Sequence, residues 1–583
     1  MNETGMPTLS PRDTMRRAAA LADTLPGGKH RFGNHAARRI DVGIFFDDAG
    51  CGQAAEPVDS EVAAPAAAAE PYRRSNILRL FHAHRHDPDD GCFRIYVPGV
   101  GMPFAQIGDA GKAGEGEGAV DPGAARIVWA LVALANALHD HVRHRALLPE
   151  DEARAIVAKL AGRYAPDWLR EAQLHDWQVR IEAALRGRRQ QAAPIGPIHL
   201  SVFGCGAGAA QARTFVHWLL EGCQQQDGAS RFAGLPVRVP FLGLFDTVAS
   251  TGKTLPADAI ADERPAWAMH TMAVHPAVAR CVHYVAGHEV RRGLPLVSVR
   301  LHGSCPANAR EVVFPGAHGD VCGGYLPGEF GVSARADALL SLMAGAGMYR
   351  EACAAGVAMQ SWGALDAASR ANLMPGASLA AAFQGYMAAV GGGDGDGGDS
   401  EEGEEGEEGD MASQGCEQPD AVHAAHMAAY FSYLFKHRLH PARRPGYAQA
   451  SERHRACLDA TCRAVLLRLA ALRSEVSPMA RAYDVHQALA HHEASSQAAG
   501  LAHADARDAR YQQLRAAVRS INPTTLTPAI ERFFDAYVHD AVATAMDAGV
   551  DEYALDGMGP IKFRRIFDSD GQALPARWQT GQG

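Results

Sequence analysis

One turn constrains the fold of this chain more than any other feature. Ile198 to Phe203 is an apolar run that ends in Gly204-Cys205-Gly206-Ala207-Gly208, and a helical segment, Gln211 to Leu220, follows at once. Strand, tight turn and helix, with glycines two before and two after the centre, is the layout of a G-x-S-x-G elbow. The middle residue of such an elbow sits on a strained turn and projects its side chain above the sheet. The centre here is Gly206. Glycine adopts the strained backbone without steric cost, yet it brings no side-chain oxygen.

Other apolar runs extend the pattern. Asp41 to Phe46, Phe93 to Val97, Val237 to Phe245, Leu296 to Leu301 and Val312 to Phe314 read as further strands, and Ala124 to Arg145 reads as a helix. Strands alternating with helices of a dozen or more residues predict an α/β fold, a mostly parallel sheet covered on both faces. In such sheets chemistry gathers at the carboxyl ends of the strands. Asp47, Gly99, Gly206, Asp246 and His318 each follow a predicted strand.

The chain divides into a loosely ordered N-terminus at 1–38, an α/β region at 39–330 and a mainly helical region at 331–583. The helical region reads from Ala334 to Val357, Ala421 to His437, Ala456 to Leu472 and Met479 to Ile521. Residues 54–70, rich in Ala and Pro, read as an insertion. Residues 391–415 are acidic and Gly-rich, cannot bury a core and are expected to be a disordered loop. They also account for the net charge: of 66 acidic residues ten fall between Gly391 and Asp410, which leaves 56 acids against 56 Lys and Arg. No basic field favours nucleic acid.

The 11 Cys form no Cys-x-x-Cys and are expected to be scattered, mostly buried thiols of a chain folded in a reducing cytoplasm. No secretory signal is read at the N-terminus, and no run reaches the roughly 18 apolar residues of a spanning helix. Phe81-His82-Ala83-His84-Arg85-His86 could set three imidazoles on one face of a strand, though a local cluster must still recruit ligands elsewhere. No metal site and no cofactor are expected.

A hydrolytic triad in the chain order nucleophile, acid, base would map onto Gly206, Asp246 and His318. Around these positions stand Phe45-Phe46-Asp47-Asp48-Ala49, Gly99-Val100-Gly101-Met102, Leu244-Phe245-Asp246-Thr247-Val248 and Phe314-Pro315-Gly316-Ala317-His318-Gly319-Asp320-Val321-Cys322-Gly323-Gly324-Tyr325. Further along come Val282-His283-Tyr284-Val285-Ala286-Gly287-His288-Glu289, Met348-Tyr349-Arg350-Glu351-Ala352, Tyr537-Val538-His539-Asp540 and Phe563-Arg564-Arg565-Ile566-Phe567. In these motifs, over about residues 40–570, the chain resembles the first family of type VI secretion lipase effectors. That family is marked by FFDGT, GIGT, GFSRG, LFDTV and FPGAHSDVGGGY.

The resemblance implies an α/β-hydrolase-like domain acting on phospholipid esters of a target-cell membrane. It also implies export by the type VI system to the target periplasm, a spike or adaptor partner and an immunity-type partner. The departures cluster at the expected site. Gly206 stands for the family serine, Ala207 for the Arg after it, Asp48 for the Gly of FDGT, Gly319 for the Ser after the His, and Cys322 for the first Gly of GGGY. Ala541 stands where a Ser follows His-Asp.

Asp246 and His318 persist as acid and base. Ala207, Asp48 and Gly99 are candidates for oxyanion donors, with Asp48 expected to bring an opposing negative charge. Cys205 is a substitute nucleophile only in the wrong register, and a water activated by His318 is the other route. The reading is a phospholipase-family effector impaired at Gly206. The alternative is a dead relative that binds lipid or protein. Ala336 to Met348 and Ala421 to Phe435 are amphipathic segments for a bilayer, or equally for a core.

Overall fold

The computed structural model describes residues 38–51, 74–111, 120–188, 195–226, 228–249, 264–291, 293–391, 419–475, 521–548 and 564–571. The expected N-terminal, 54–70 and acidic 391–415 segments and most of the Met479 to Ile521 helix lie outside them.

Strands β1 (Arg38–Phe46), β2 (Cys92–Val97), β3 (Ile195–Cys205), β6 (Leu235–Phe245), β7 (Cys281–Ala286) and β9 (Ala309–Phe314) form a parallel sheet in the order β2-β1-β3-β6-β7-β9. The antiparallel strands β4 (Gln224–Gln226) and β5 (Ala229–Phe232) extend from the start of β6. Strand β8 (Leu296–Val297) pairs outside this sheet with β10 (Ile566–Phe567).

Helices cover both faces, which gives the expected α/β fold. Successive side chains of a strand point to opposite faces. Ile40, Val42, Ile44 and Phe46 of β1 therefore pack in one cluster with α2 (Pro122–Arg143), α3 (Glu150–Leu160), α4 (Asp167–Arg188) and α5 (Ala207–Glu221). Phe45 points the other way and stacks on Phe203 of β3 at 4.9 Å. That face is closed by α1 (Asn76–Ala83) and by Met348 and Tyr349 of α7 (Ser341–Ala354).

After β9 come the short α6 (His318–Cys322), then α7, α8 (Ala367–Ala371), α9 (Ala377–Gly391), α10 (Pro419–His437), α11 (Glu452–Glu475), α12 (Pro528–Ala536) and α13 (Ala541–Asp547). Tyr386, Tyr430, Phe431, Leu434 and Phe533 join α9, α10 and α12 in a further apolar cluster.

Several expectations are corrected. Leu296 to Leu301 is no strand of the main sheet; its position there belongs to β7. Strand β7 is buried at every residue, so it shows no alternation, and its one polar residue, His283, is satisfied by Glu311 and Thr247. His82, His84 and His86 do not share a strand face: α1 ends at Ala83, and His84 is buried with its Nδ1 at 2.7 Å from the Arg85 carbonyl.

The two amphipathic segments put their apolar faces into the core, with Leu342 and Met348 in one and Met427, Tyr430 and Phe431 in the other all buried. No described helix is long and apolar enough to cross a membrane. The thiols are not all free: Cys205 and Cys322 form a disulfide.

Candidate active site

The sheet order places β1 beside both β2 and β3, so the chain turns in opposite directions on either side of β1. The crevice at the carboxyl ends of β1 and β3 is the switch point where α/β sheets bind ligands. The loop after β1 enters it from one side and the elbow after β3 from the other. Gly206 is the elbow's centre, at φ 53° and ψ −118°. Its N–H donates to the Phe245 carbonyl at 2.9 Å, and its own carbonyl accepts from Val248 N–H at 3.0 Å. Gly208 lets α5 approach β1 closely, because a Cβ there would lie 2.4 Å from the carbonyls of Phe46 and Asp47.

Asp48 fills the space above Gly206. A Cβ built on Gly206 would fall 1.9 Å from Asp48 Oδ1. Ala207 N–H donates to that same Oδ1 at 3.0 Å. The second oxygen, Oδ2, lies 2.7 Å from His318 Nε2. Nδ1 of His318 lies 2.5 Å from Asp246 Oδ2. The result is a line of four groups: backbone N–H, carboxylate, imidazole, carboxylate. The side chains of Asp246, His318 and Asp48 are 0%, 8% and 16% exposed, so the line runs from the core to a partly open end.

Each member is held from behind. Asp47, buried beside Asp48, accepts from Ser75 Oγ at 2.7 Å, Tyr96 Oη at 2.5 Å and Asp48 N–H at 2.9 Å. Burial pushes its carboxyl up to about 6, against the pull of those donors. Asp246 has φ 44°, and its Oδ1 accepts from Ala286 N–H at 2.9 Å and from Arg564 Nη1 at 2.6 Å. Burial opposes its charge, but Arg564 first, and then His318, hold its carboxyl far below the usual carboxylate range.

His318 opens α6. Its N–H donates to Glu289 Oε2 at 3.0 Å, and Glu289 in turn binds Arg291. Asp320, two residues on, accepts from Ala317 N–H and pairs with His539 Nδ1 at 2.7 Å. Burial would lower the His318 pKa; the Asp48 charge and then the Asp246 hydrogen bond outweigh it and raise the imidazole to about 9. At neutral pH that shift favours the imidazolium, held between the Asp48 and Asp246 carboxyl groups.

The sequence candidates now have places. Gly206, Ala207, Asp48, Asp246 and His318 converge. Gly99 does not supply an oxyanion donor, because its N–H is bonded to the Cys51 carbonyl at 2.9 Å; it packs instead against the Asp48 backbone. The Asp48 N–H is likewise taken by Asp47. Cys205 is no substitute nucleophile, since its sulfur is buried in the disulfide with Cys322 and a nucleophile must be a thiolate.

Asp48, His318 and Cys322 bring one donor atom each within 4.8 Å of one another, as do His302, Asp568 and Asp570. In the first group the sulfur is in the disulfide and both imidazole nitrogens face carboxylates. The sequence reading did not find Arg564 as partner of Asp246. Its Phe-Arg-Arg-Ile-Phe context matched the family, but a separation of 318 residues carries no signal of contact.

Residues 190–346 match the model of the family described as type VI secretion system, phospholipase effector Tle1-like, catalytic domain. That segment is Tle1-like. It contains the elbow, Asp246 and His318, and leaves out Asp48 and Arg564, which reach the Tle1-like segment from either side.

No curated protein matches the chain. A crystal structure of an uncharacterized protein from Pseudomonas aeruginosa is similar at a TM-score of 0.66 and 21% identity, over 98% of this chain and 85% of that one. At that identity the likeness is one of fold. A Tle1 effector bound to the VgrG spike of the type VI secretion system aligns over 52% of this chain and 55% of its own at 21% identity, with a TM-score of 0.25, too low to bear on the fold.

Proposed function

We propose that this chain is a type VI secretion effector directed at phospholipids of a target-cell membrane, and that its scaffold is that of a carboxylic ester hydrolase without its serine. The observation that carries this reading is the His318–Asp246 couple at 2.5 Å, set at strand ends inside the Tle1-like segment and beside the free end of α5. In such a centre the acid orients the imidazole, the imidazole relays the proton, and backbone N–H groups receive the oxyanion. Here the relay and Ala207 N–H remain, and the attacking oxygen does not.

The domain limits given above, export to a target periplasm, a spike or adaptor and an immunity-type partner belong to the same reading, and the family description supports the secretion route. A second reading, a lipid- or protein-binding module without turnover, is favoured by the Asp48 carboxylate standing where substrate would bind.

Co-sedimentation of the purified chain with vesicles of phosphatidylethanolamine and phosphatidylglycerol, with fluorogenic phospholipid turnover measured in parallel, tests both readings. Binding with little turnover is expected. Neither binding nor turnover on such vesicles would remove phospholipid as the target.

A further inference from the structure

We infer that Asp48 and Gly206 are one coupled exchange: the Asp48 carboxylate is a built-in occupant of an ester-hydrolase centre that keeps its acid, its base and the Ala207 N–H, and replacing both residues uncovers serine-type activity. The inference deepens the proposed function and rests on it for the reaction class.

Three contacts define the occupant. Oδ1 accepts the Ala207 N–H, the donor that an elbow of this kind offers to an oxyanion. Oδ2 meets His318 Nε2, the atom that would take a serine proton. The carboxyl carbon lies 2.4 Å from where a Cβ of residue 206 would be. The carboxylate thus covers the nucleophile's position, the base and the oxyanion donor together, much as the carboxylate product of ester hydrolysis would. It is attached to the β1 loop and cannot leave by diffusion. The loop is itself fixed, with Asp47 bound to Ser75 and Tyr96 and the Gly99 backbone against Asp48.

The coupling follows from sterics and charge. Serine introduced at 206 alone meets the Asp48 carboxylate inside van der Waals contact. Glycine at 48 alone frees His318 and the Ala207 N–H but supplies no attacking oxygen. Only Asp48→Gly with Gly206→Ser brings an attacking oxygen, the His318 base, the Asp246 acid and the Ala207 N–H together. In that variant serine Oγ attacks the ester carbonyl carbon while His318 Nε2 takes its proton. The carbonyl electrons go to the oxyanion at Ala207 N–H. The acyl–O bond then breaks, and the leaving alkoxide takes the proton back from His318. Water, deprotonated by the same nitrogen, attacks the acyl-serine carbonyl; the acyl–Oγ bond breaks, serine Oγ takes the proton back from His318, and the acid is released.

The experiment compares the unaltered chain, Asp48→Gly, Gly206→Ser, the double variant and the double variant carrying His318→Ala. Each is assayed on 4-nitrophenyl butyrate and on a fluorogenic phospholipid, with thermal unfolding as a check on folding. The double variant is expected to exceed both single variants by at least about 100-fold in kcat/KM, since a missing nucleophile costs several orders of magnitude. His318→Ala should abolish the gain.

A folded double variant no better than Gly206→Ser alone would overturn the coupling. So would turnover by the unaltered chain that Asp48→Gly removes, because Asp48 would then take part in the reaction. Should the double variant prove unfolded, loss of the raised His318 titration in Asp48→Gly, read by imidazole nitrogen NMR, still tests the occupancy. An unchanged titration refutes it. Activity on the butyrate ester without activity on phospholipid upholds this inference and sinks the phospholipid reading.

Discussion

Arg564 and Asp246 meet at 2.6 Å with both side chains fully buried, joining the C-terminal segment to the acid behind His318 across 318 residues of chain. The contact makes the C-terminal segment part of the candidate site. Strand β10 follows two residues later and pairs with β8, and Ser569 is bonded to Arg213 of α5. Arg564→Gln should therefore destabilise the protein and loosen Asp246 together. Removing one partner of a buried ion pair costs about 3–5 kcal/mol. Denaturant unfolding of Arg564→Gln and Arg564→Lys tests this, the lysine variant being expected to recover only part of the loss. A Gln variant as stable as the parent would show that the pair contributes nothing net.

The histidines predict a stability curve limited on both sides. His318 has its pKa raised to about 9 in the fold. An imidazole whose folded pKa exceeds its unfolded one stabilises fully below about 6.5, and that contribution fades as pH rises through 9. His423 and His426 are lowered by burial to about 4 and about 3, and His288 falls well below its ordinary value. Their contribution is full above about 6.5 and fades as pH falls towards those values. Melting temperature measured from pH 4 to 10 should peak between these limits. Asp48→Asn should shrink the alkaline decline and leave the acid limb in place; an alkaline limb unchanged in that variant would count against the His318–Asp48 pairing.

Much of this was legible in the sequence, and the remainder was hidden for identifiable reasons. Five strands of the parallel sheet declare themselves as apolar runs, and strand ends alone nominate Gly206, Asp246 and His318. The negative charge of Asp48 near the elbow is also readable. What cannot be read is that its side chain, rather than its backbone, reaches the volume above Gly206, because that depends on how the β1 and β3 ends lie side by side. Gly99 misled because an N–H in a glycine turn looks available until its acceptor, the Cys51 carbonyl, is known. Strand β7 was hidden by burial on both faces, which removes the alternation that marks a strand. Cys205 and Cys322 carry no pairing signal across 117 residues.

That disulfide links the residue before Gly206 to the end of α6, the helix that His318 begins. Closing a loop of this length limits the unfolded ensemble and stabilises by about 4–5 kcal/mol in the chain-entropy account. Cys322→Ser should lower the melting temperature of oxidised protein and make it insensitive to dithiothreitol at this bond. Both sulfurs are buried, so reduction of the parent should need partial unfolding. Equal melting temperatures for parent and variant under oxidising conditions would mean that the bond adds nothing to stability.

The outer surface offers a further test of the bilayer reading. With the apolar faces of α7 and α10 used in the core, the large side chains left in water include Tyr164 at 91% exposed, in the turn before α4, and Trp168 at 64%, in its first turn. Tyrosine and tryptophan favour the boundary between water and hydrocarbon, where an apolar ring and a polar tip are both accommodated. Lys159 and Arg163 are exposed nearby in sequence and add charge that anionic lipid attracts. Replacing both Tyr164 and Trp168 with Ala should weaken vesicle binding by about 10-fold or more at unchanged melting temperature, since fully burying one large apolar side chain is worth roughly 1.5–3 kcal/mol. Lys159→Glu with Arg163→Glu should weaken binding to phosphatidylglycerol vesicles and leave binding to neutral phosphatidylcholine vesicles unchanged. If all these variants bind like the parent, membrane contact is made elsewhere on the chain.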